Sequence, residues 1–220
     1  MKPYYQHAGV TIYHGDCREI LAAIPSVDLV LTDPPYGVSE RTQRKSAGRS
    51  NLAECNDFPP VFGDDAPFDP SHLLTYRRLV LFGGNYFAQS LPPSPSWIVW
   101  DKRDGIPSND NADVEMAWTN LGGPARSFHH AWSGMIKASE RGDKRVHPTQ
   151  KPVSLMAWII QRHTAPGDLV LDPYMGGGST LVAAKELGRL AIGIEVEERY
   201  CEVAAKRLAQ DVLFPAEVAK

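Results

Sequence analysis

The sequence is poor in cysteine. Cys17, Cys55 and Cys201 are the three it has. They lie far apart and form no Cys-x-x-Cys pair, so neither a disulfide framework nor a zinc site is indicated. His129 and His130 stand at no metal-ligand spacing from other residues, and no metal is expected. No apolar run approaches the roughly 18 residues of a membrane span. Met1-Lys2-Pro3-Tyr4-Tyr5-Gln6 lacks the apolar core of a signal peptide, which points to a reducing cytoplasmic setting. An excess of basic charge is missing too: 23 Lys and Arg against 26 Asp and Glu give a net charge of −3, which argues against a strong general polyanion binder. Internal repeats and low-complexity tracts are absent.

What is present is an ordinary globular composition, 43% hydrophobic and 22% charged, in 220 residues, enough for one domain with a substantial core. Charge is uneven along the chain. Arg41, Arg44, Lys45 and Arg49 cluster in one polar stretch, and Lys137, Arg141, Lys144, Arg145 and Lys151 in another. Both are compatible with phosphate contacts, although solvated basic loops are common. Strand-like runs occur at 10–13, 27–31, 79–82, 97–100, 114–118, 169–171 and 190–194. Helical patterns fall at 17–24, 153–164, 179–187 and 197–210. The 97–100 and 114–118 runs are expected to pair antiparallel at one edge. Strands alternating with helices over short connections predict a doubly wound, mostly parallel α/β sheet in a single domain, 1–220. Residues 38–63 read as a long mobile loop.

Two segments carry chemistry. Thr32-Asp33-Pro34-Pro35-Tyr36-Gly37 follows a buried strand. Pro34 forces Asp33 to be extended, and both prolines fix their own φ. A carboxylate, backbone carbonyls and a ring are thereby held at the sheet edge where open α/β folds bind ligands. That arrangement suits an amino group on a flat heterocycle. The second segment, Leu169-Val170-Leu171-Asp172-Pro173-Tyr174-Met175-Gly176-Gly177-Gly178-Ser179-Thr180, is a strand, a glycine turn and a helix start, and Glu195 closes the strand after it. No lysine precedes Ser179, so it is not a phosphate loop, and the third glycine of G-x-G-x-x-G is absent. Asp172 would repel a pyrophosphate. A zwitterionic nucleoside such as S-adenosylmethionine fits better, with its ribose on Glu195 and its carboxylate at the helix start.

TDPPYG, then HPTQKP (147–152), then LDPYMGGGST and IGIE, in that order, resemble the DNA amino-methyltransferases, in the permuted β group that places the DPPY motif before the cofactor motif. The resemblance covers roughly Tyr13 to Leu208. It implies S-adenosylmethionine as cofactor and a seven-stranded, Rossmann-like sheet with one antiparallel strand. It implies that Asp33, Pro34, Pro35 and Tyr36 form the catalytic tetrapeptide. Asp16 would lie near the cofactor's adenine, and Gln150, Lys151 and Pro152 would cover its methionine end. Asp33, Asp172, Gly176, Gly178, Ser179, Thr180 and Glu195 would complete the cofactor site.

The implied reaction is direct methylation of adenine N6 in double-stranded DNA, on a base flipped out of the helix and stacked on Tyr36. Aspartate before Pro-Pro favours adenine over cytosine N4 by the same resemblance. Methylation at a ring carbon would need a Pro-Cys nucleophile, which the sequence lacks. RNA or protein-glutamine methylation and a non-catalytic nucleic-acid-binding module are the competing readings. Relatives insert a target-recognition domain where this chain has only 120–146. Arg126, Lys137 and Arg141 there, with the 38–63 loop, are the expected DNA contacts, and a homodimer is one way to complete recognition. The same resemblance suggests a restriction-modification setting.

Overall fold

The computed structural model describes residues 1–39, 58–107, 112–133, 136–140 and 144–209. Along the chain run β1 (Tyr5–His7), β2 (Val10–His14), α1 (Cys17–Ile20), β3 (Leu29–Thr32), β4 (Leu79–Phe82), β5 (Trp97–Asp101), β6 (Val114–Thr119), β7 (Arg126–His129), β8 (Trp132–Ser133), β9 (Ile136–Lys137), α2 (Val153–His163), β10 (Leu169–Asp172), α3 (Ser179–Glu186), β11 (Leu190–Glu195) and α4 (Glu198–Ala209). Nine strands form one sheet in the order β1-β2-β11-β10-β3-β4-β6-β5-β7, and β8 and β9 make a separate hairpin.

Strands β2, β11, β10, β3 and β4 are parallel, and β6 runs against both β4 and β5. Seven strands with one reversed is the expected architecture, and short strands extend it at both edges. β1 pairs antiparallel with β2, and β7 pairs parallel with β5. The expected antiparallel pair forms, but not at the edge: β6 is interior, and β5 is covered by β7. The reversal means β6 brings its first residues to the rim where the parallel strands end.

Alternation sorts the β3 side chains to two faces. Leu29 and Leu31 pack with Leu155, Ile159, Leu181, Ala184 and Ala204 of α2, α3 and α4. Val30 packs on the other side with Cys17, Ile20, Leu73 and Phe87. That second face is closed by short turns. Helix α1 stops at Ile20 and continues as a tight turn over Leu21–Ala23, shorter than the helix expected over 17–24 because Pro25 follows closely. Asp16 caps α1 by accepting the Arg18 N–H. Among the described residues no helix is long and apolar enough to cross a membrane, and no group of three His, Cys, Asp or Glu is arranged to hold a metal.

Candidate active site

A cavity of about 530 Å³ opens along the rim formed by the carboxyl ends of β2, β11, β10 and β3. Asp16, Asp33, Pro34, Pro35, Tyr36, Gly176 and Glu195 line it together. The adjacency comes from the sheet. Asp33 and Gly176 are far apart in sequence, but β3 and β10 pair directly, with Val170 opposite Leu29 and Leu171 opposite Val30. The Thr32 hydroxyl donates to Asp172 Oδ1 at 2.7 Å, tying the two strand ends.

At one end of the cavity Glu195 organises the glycine turn. Its Oε2 accepts the Gly176 N–H at 2.9 Å, and Oε1 accepts the Glu197 N–H at 2.8 Å. Burial pushes its carboxyl up to about 7, against these two bonds. Gly176 takes φ +48, and a side chain there would press on the His147 ring. Gly178, at φ +77, caps α3 in the left-handed region. A Cβ on Gly178 would come within 2.8 Å of the Ala204 side chain, so glycine lets α3 approach α4. Only Gly176 of the glycine run faces the cavity. Gly178, Ser179 and Thr180 lie behind it, and Gly177 sits under Val146 and His147. Asp172 also turns inwards, 3% exposed, accepting from Thr32 and from the Tyr174 N–H. Burial raises its carboxyl to about 6.

The HPTQKP segment divides in two. His147 and Thr149 line the cavity, whereas Gln150, Lys151 and Pro152 do not. The Thr149 N–H donates to His147 Nδ1, which leaves the ring proton on Nε2. Burial holds that imidazole neutral by lowering it to about 3. Gln150 Oε1 accepts the Val146 N–H at 2.9 Å and shapes the turn, and Pro152 precedes α2. Lys151 reaches the other way: its ammonium donates to Asp33 Oδ2.

Two residues absent from the sequence reading shape the Asp33 end. Asp64, 5% exposed, accepts three successive backbone N–H groups through Oδ1, from Tyr36 at 3.0 Å, Gly37 at 2.8 Å and Val38 at 3.3 Å. It fixes the turn that follows the two prolines. Glu115, at the start of β6, accepts from Lys102 at 2.9 Å and lies 3.2 Å from Lys151. The Tyr36 hydroxyl donates to Asp33 Oδ1, and its ring stacks on the half-exposed Tyr86 with centroids 5.0 Å apart and planes 16° apart. Gly83 lies so close beneath Tyr36 that any side chain would collide with the ring. Further along, Phe68, His72 and Tyr174 form an aromatic wall, with His72 Nε2 2.9 Å from the Tyr174 hydroxyl. Asp16 faces this end, both oxygens held by Arg18.

Of the expected DNA contacts, Arg126 and Lys137 are among the described residues. Arg41, Arg44, Lys45, Arg49 and Arg141 lie outside the described residues, as does most of the 38–63 loop. Arg126 is exposed, but it begins β7, opposite Ile98 at the far end of β5 from the rim. Lys137 lies over the Trp132 ring at 4.8 Å, and that tryptophan is buried, not open for stacking.

Comparison with known proteins agrees with this architecture. A family model described as DNA methylase matches residues 100–206. The type II methyltransferase M.HinfI of Haemophilus influenzae is 29% identical, over 91% of this chain and 68% of its own. The type II methyltransferase M2.LlaDCHI of Lactococcus lactis subsp. cremoris is 28% identical, over 97% and 94%. The crystal structure of the M1.HpyAVI–SAM complex superposes with a TM-score of 0.56 at 26% identity, over 91% of this chain and all of that one. The PvuII cytosine-N4-specific DNA methyltransferase shares the fold, with a TM-score of 0.64 at 19% identity over 97% and 91%. In motif order, sheet topology and these relatives the chain is similar to the DNA amino-methyltransferases.

Proposed function

We propose that the chain transfers a methyl group from S-adenosylmethionine to N6 of adenine in double-stranded DNA. One observation carries this reading: the Asp33–Tyr36 turn and the Gly176–Glu195 pair open into the same cavity from neighbouring strand ends. The residues present fit a nucleoside donor. Glu195 has lone pairs left for two ribose hydroxyls after accepting its two backbone N–H groups. His147 offers an Nε2–H beside Gly176, and the aromatic wall of Phe68 and Tyr174 suits a flat ring near Asp16. The donor, when bound, supplies an electrophilic methyl on a sulfonium.

The remaining work falls to Asp33, Pro34 and Tyr36. An exocyclic amino nitrogen has its lone pair delocalised into the base. Donation of its two N–H groups to Asp33 and the Pro34 carbonyl favours a pyramidal nitrogen with the lone pair free to attack. Asp33 has capacity for this, since its carboxylate has about four lone-pair sites and Tyr36 and Lys151 fill two. When the methyl arrives, the displaced N–H proton passes to Asp33, whose proton affinity burial raises. Orientation and exclusion of water supply much of the rate. Tyr36 already carries one flat partner in Tyr86, which shows that its face accepts a stacked ring. The test is incubation with labelled cofactor and duplexes whose only exocyclic amines of one type are adenine or cytosine. Label on adenine N6 is expected; label confined to cytosine N4 assigns that base, and label only on RNA or protein overturns the reading.

A further inference from the structure

Four charges of alternating sign run along the rim: Lys102 after β5, Glu115 on β6, Lys151 ahead of α2, and Asp33 after β3. Lys102 Nζ donates to Glu115 Oε1 at 2.9 Å, Glu115 Oε2 lies 3.2 Å from Lys151 Nζ, and Lys151 donates to Asp33 Oδ2. The line passes over the end of β4, where Lys151 Nζ stands 5.4 Å from the centre of the Phe82 ring. The Lys151 side chain is 6% exposed, Asp33 13%, Lys102 19% and Glu115 26%. Glu115 reaches the rim only because β6 is antiparallel. Its Oε2 is buried and makes no hydrogen bond among the described residues, so the ammonium of Lys151 is its electrostatic partner.

We propose that Glu115 is a positioning residue for methyl transfer, dividing the charge of Lys151 so that Asp33 is held in place without being fully neutralised. This rests on the proposed reaction at Asp33. An ammonium has three donors. Those of Lys151 serve Asp33 and the Tyr36 hydroxyl, 3.3 Å away, while Glu115 shares the charge of the same ammonium from 3.2 Å. A second carboxylate draws the cation off Asp33, which keeps acceptor strength for a substrate amine. Lys102 in turn balances Glu115, so the four groups sum to zero. Without Glu115 the row has two cations and one anion. Lys151 then pairs with Asp33 alone and competes with the amine.

The groups facing Asp33 are the Tyr36 hydroxyl, Lys151, Glu115 and, from β10, Asp172. Burial raises the Asp33 carboxyl, Lys151 lowers it, and Glu115 raises it again. Removing the Glu115 charge therefore moves Asp33 down. Burial also works to raise Glu115, but Lys151 and Lys102 hold it down at about 2, so it stays ionised across the working range.

The experiment compares wild type with Glu115→Gln and Glu115→Asp. The glutamine variant keeps the shape and loses the charge. Expected are a kcat lowered about 10-fold to 100-fold, a donor dissociation constant within about twofold of wild type, and an acid limb of the kcat profile displaced downwards by about one pH unit. Glu115→Asp should return the limb towards the wild-type position. Carbon-13 NMR of aspartate-labelled protein, read without DNA, should show the Asp33 carboxyl titrating lower in Glu115→Gln. A folded Glu115→Gln with unchanged kcat and limb overturns the inference. So does a fall in kcat with the limb and the Asp33 titration fixed, since a purely packing role predicts that. If wild type methylates no nucleic acid yet the Asp33 titration follows Glu115, the reaction assignment fails while the electrostatic coupling stands.

Discussion

At the scale of single residues, the site depends on carboxylates used in different ways. Asp33 is the one expected to meet the substrate amine. Asp33→Ala should reduce turnover by at least about 100-fold while leaving donor binding within a fewfold, measured by single-turnover labelling and calorimetry. Unchanged turnover would refute the assignment. Glu195, pushed up to about 7 by burial, should make donor affinity pH-dependent. Only the carboxylate accepts from both ribose hydroxyls, so affinity should fall as pH drops from about 8 to 6, approaching tenfold per unit at the acid end. Glu195→Gln should bind the donor more weakly and with little dependence on pH. A flat wild-type profile over that range would count against Glu195 as the ribose acceptor. Tyr36→Ala removes a stacking face worth about 1–3 kcal/mol per base, and a corresponding loss in kcat/KM with little change in donor affinity is expected.

At the scale of elements, the turn after β3 is held by Asp64 and the glycine turn by close helix packing. Asp64→Ala leaves the N–H groups of Tyr36, Gly37 and Val38 without their shared acceptor. A loss of about 2–3 kcal/mol in urea unfolding is expected, with a larger loss of activity because Tyr36 is no longer aimed. Gly178→Ala combines a left-handed backbone with a 2.8 Å clash on α4, and should cost about 2–4 kcal/mol by the same measurement. These elements also show what the sequence could convey. β3, β10 and β11 were readable because each is an apolar run ending in an informative residue, and α2 to α4 because their apolar periodicity spans two turns or more. β1, β7 and the β8–β9 hairpin are too short and too polar to announce themselves. The antiparallel β6 was visible as a strand, but its place between β4 and β5 was not, since nothing local specifies which edge a strand joins.

The whole molecule explains why the candidate site was only partly legible. Asp33, Tyr36, Gly176 and Glu195 sit in contiguous motifs, and the shared sheet edge brings them into one cavity. Asp64, Glu115 and Lys102 belong to no motif: a lone acid in a loop or on a strand resembles any solvated charge until the fold supplies its partner. The resemblance places Lys151 at the cofactor's methionine end, but its ammonium is turned to Asp33, and residues 150–152 do not line the cavity. The alignments to M.HinfI and M2.LlaDCHI span 248 and 260 residues, more than the 220 here, so both relatives carry segments that this chain lacks.

The Thr32–Asp172 bond joins the half of the rim built by 29–37 to the half built by 169–195, and backbone pairing of β3 with β10 does the rest. No covalent continuity between the halves enters that junction. Chemistry at the shared border is thus indifferent to which half the ribosome makes first. A gene rearranged to encode them in the reverse sequence, with connections long enough to reach, would rebuild the same seam.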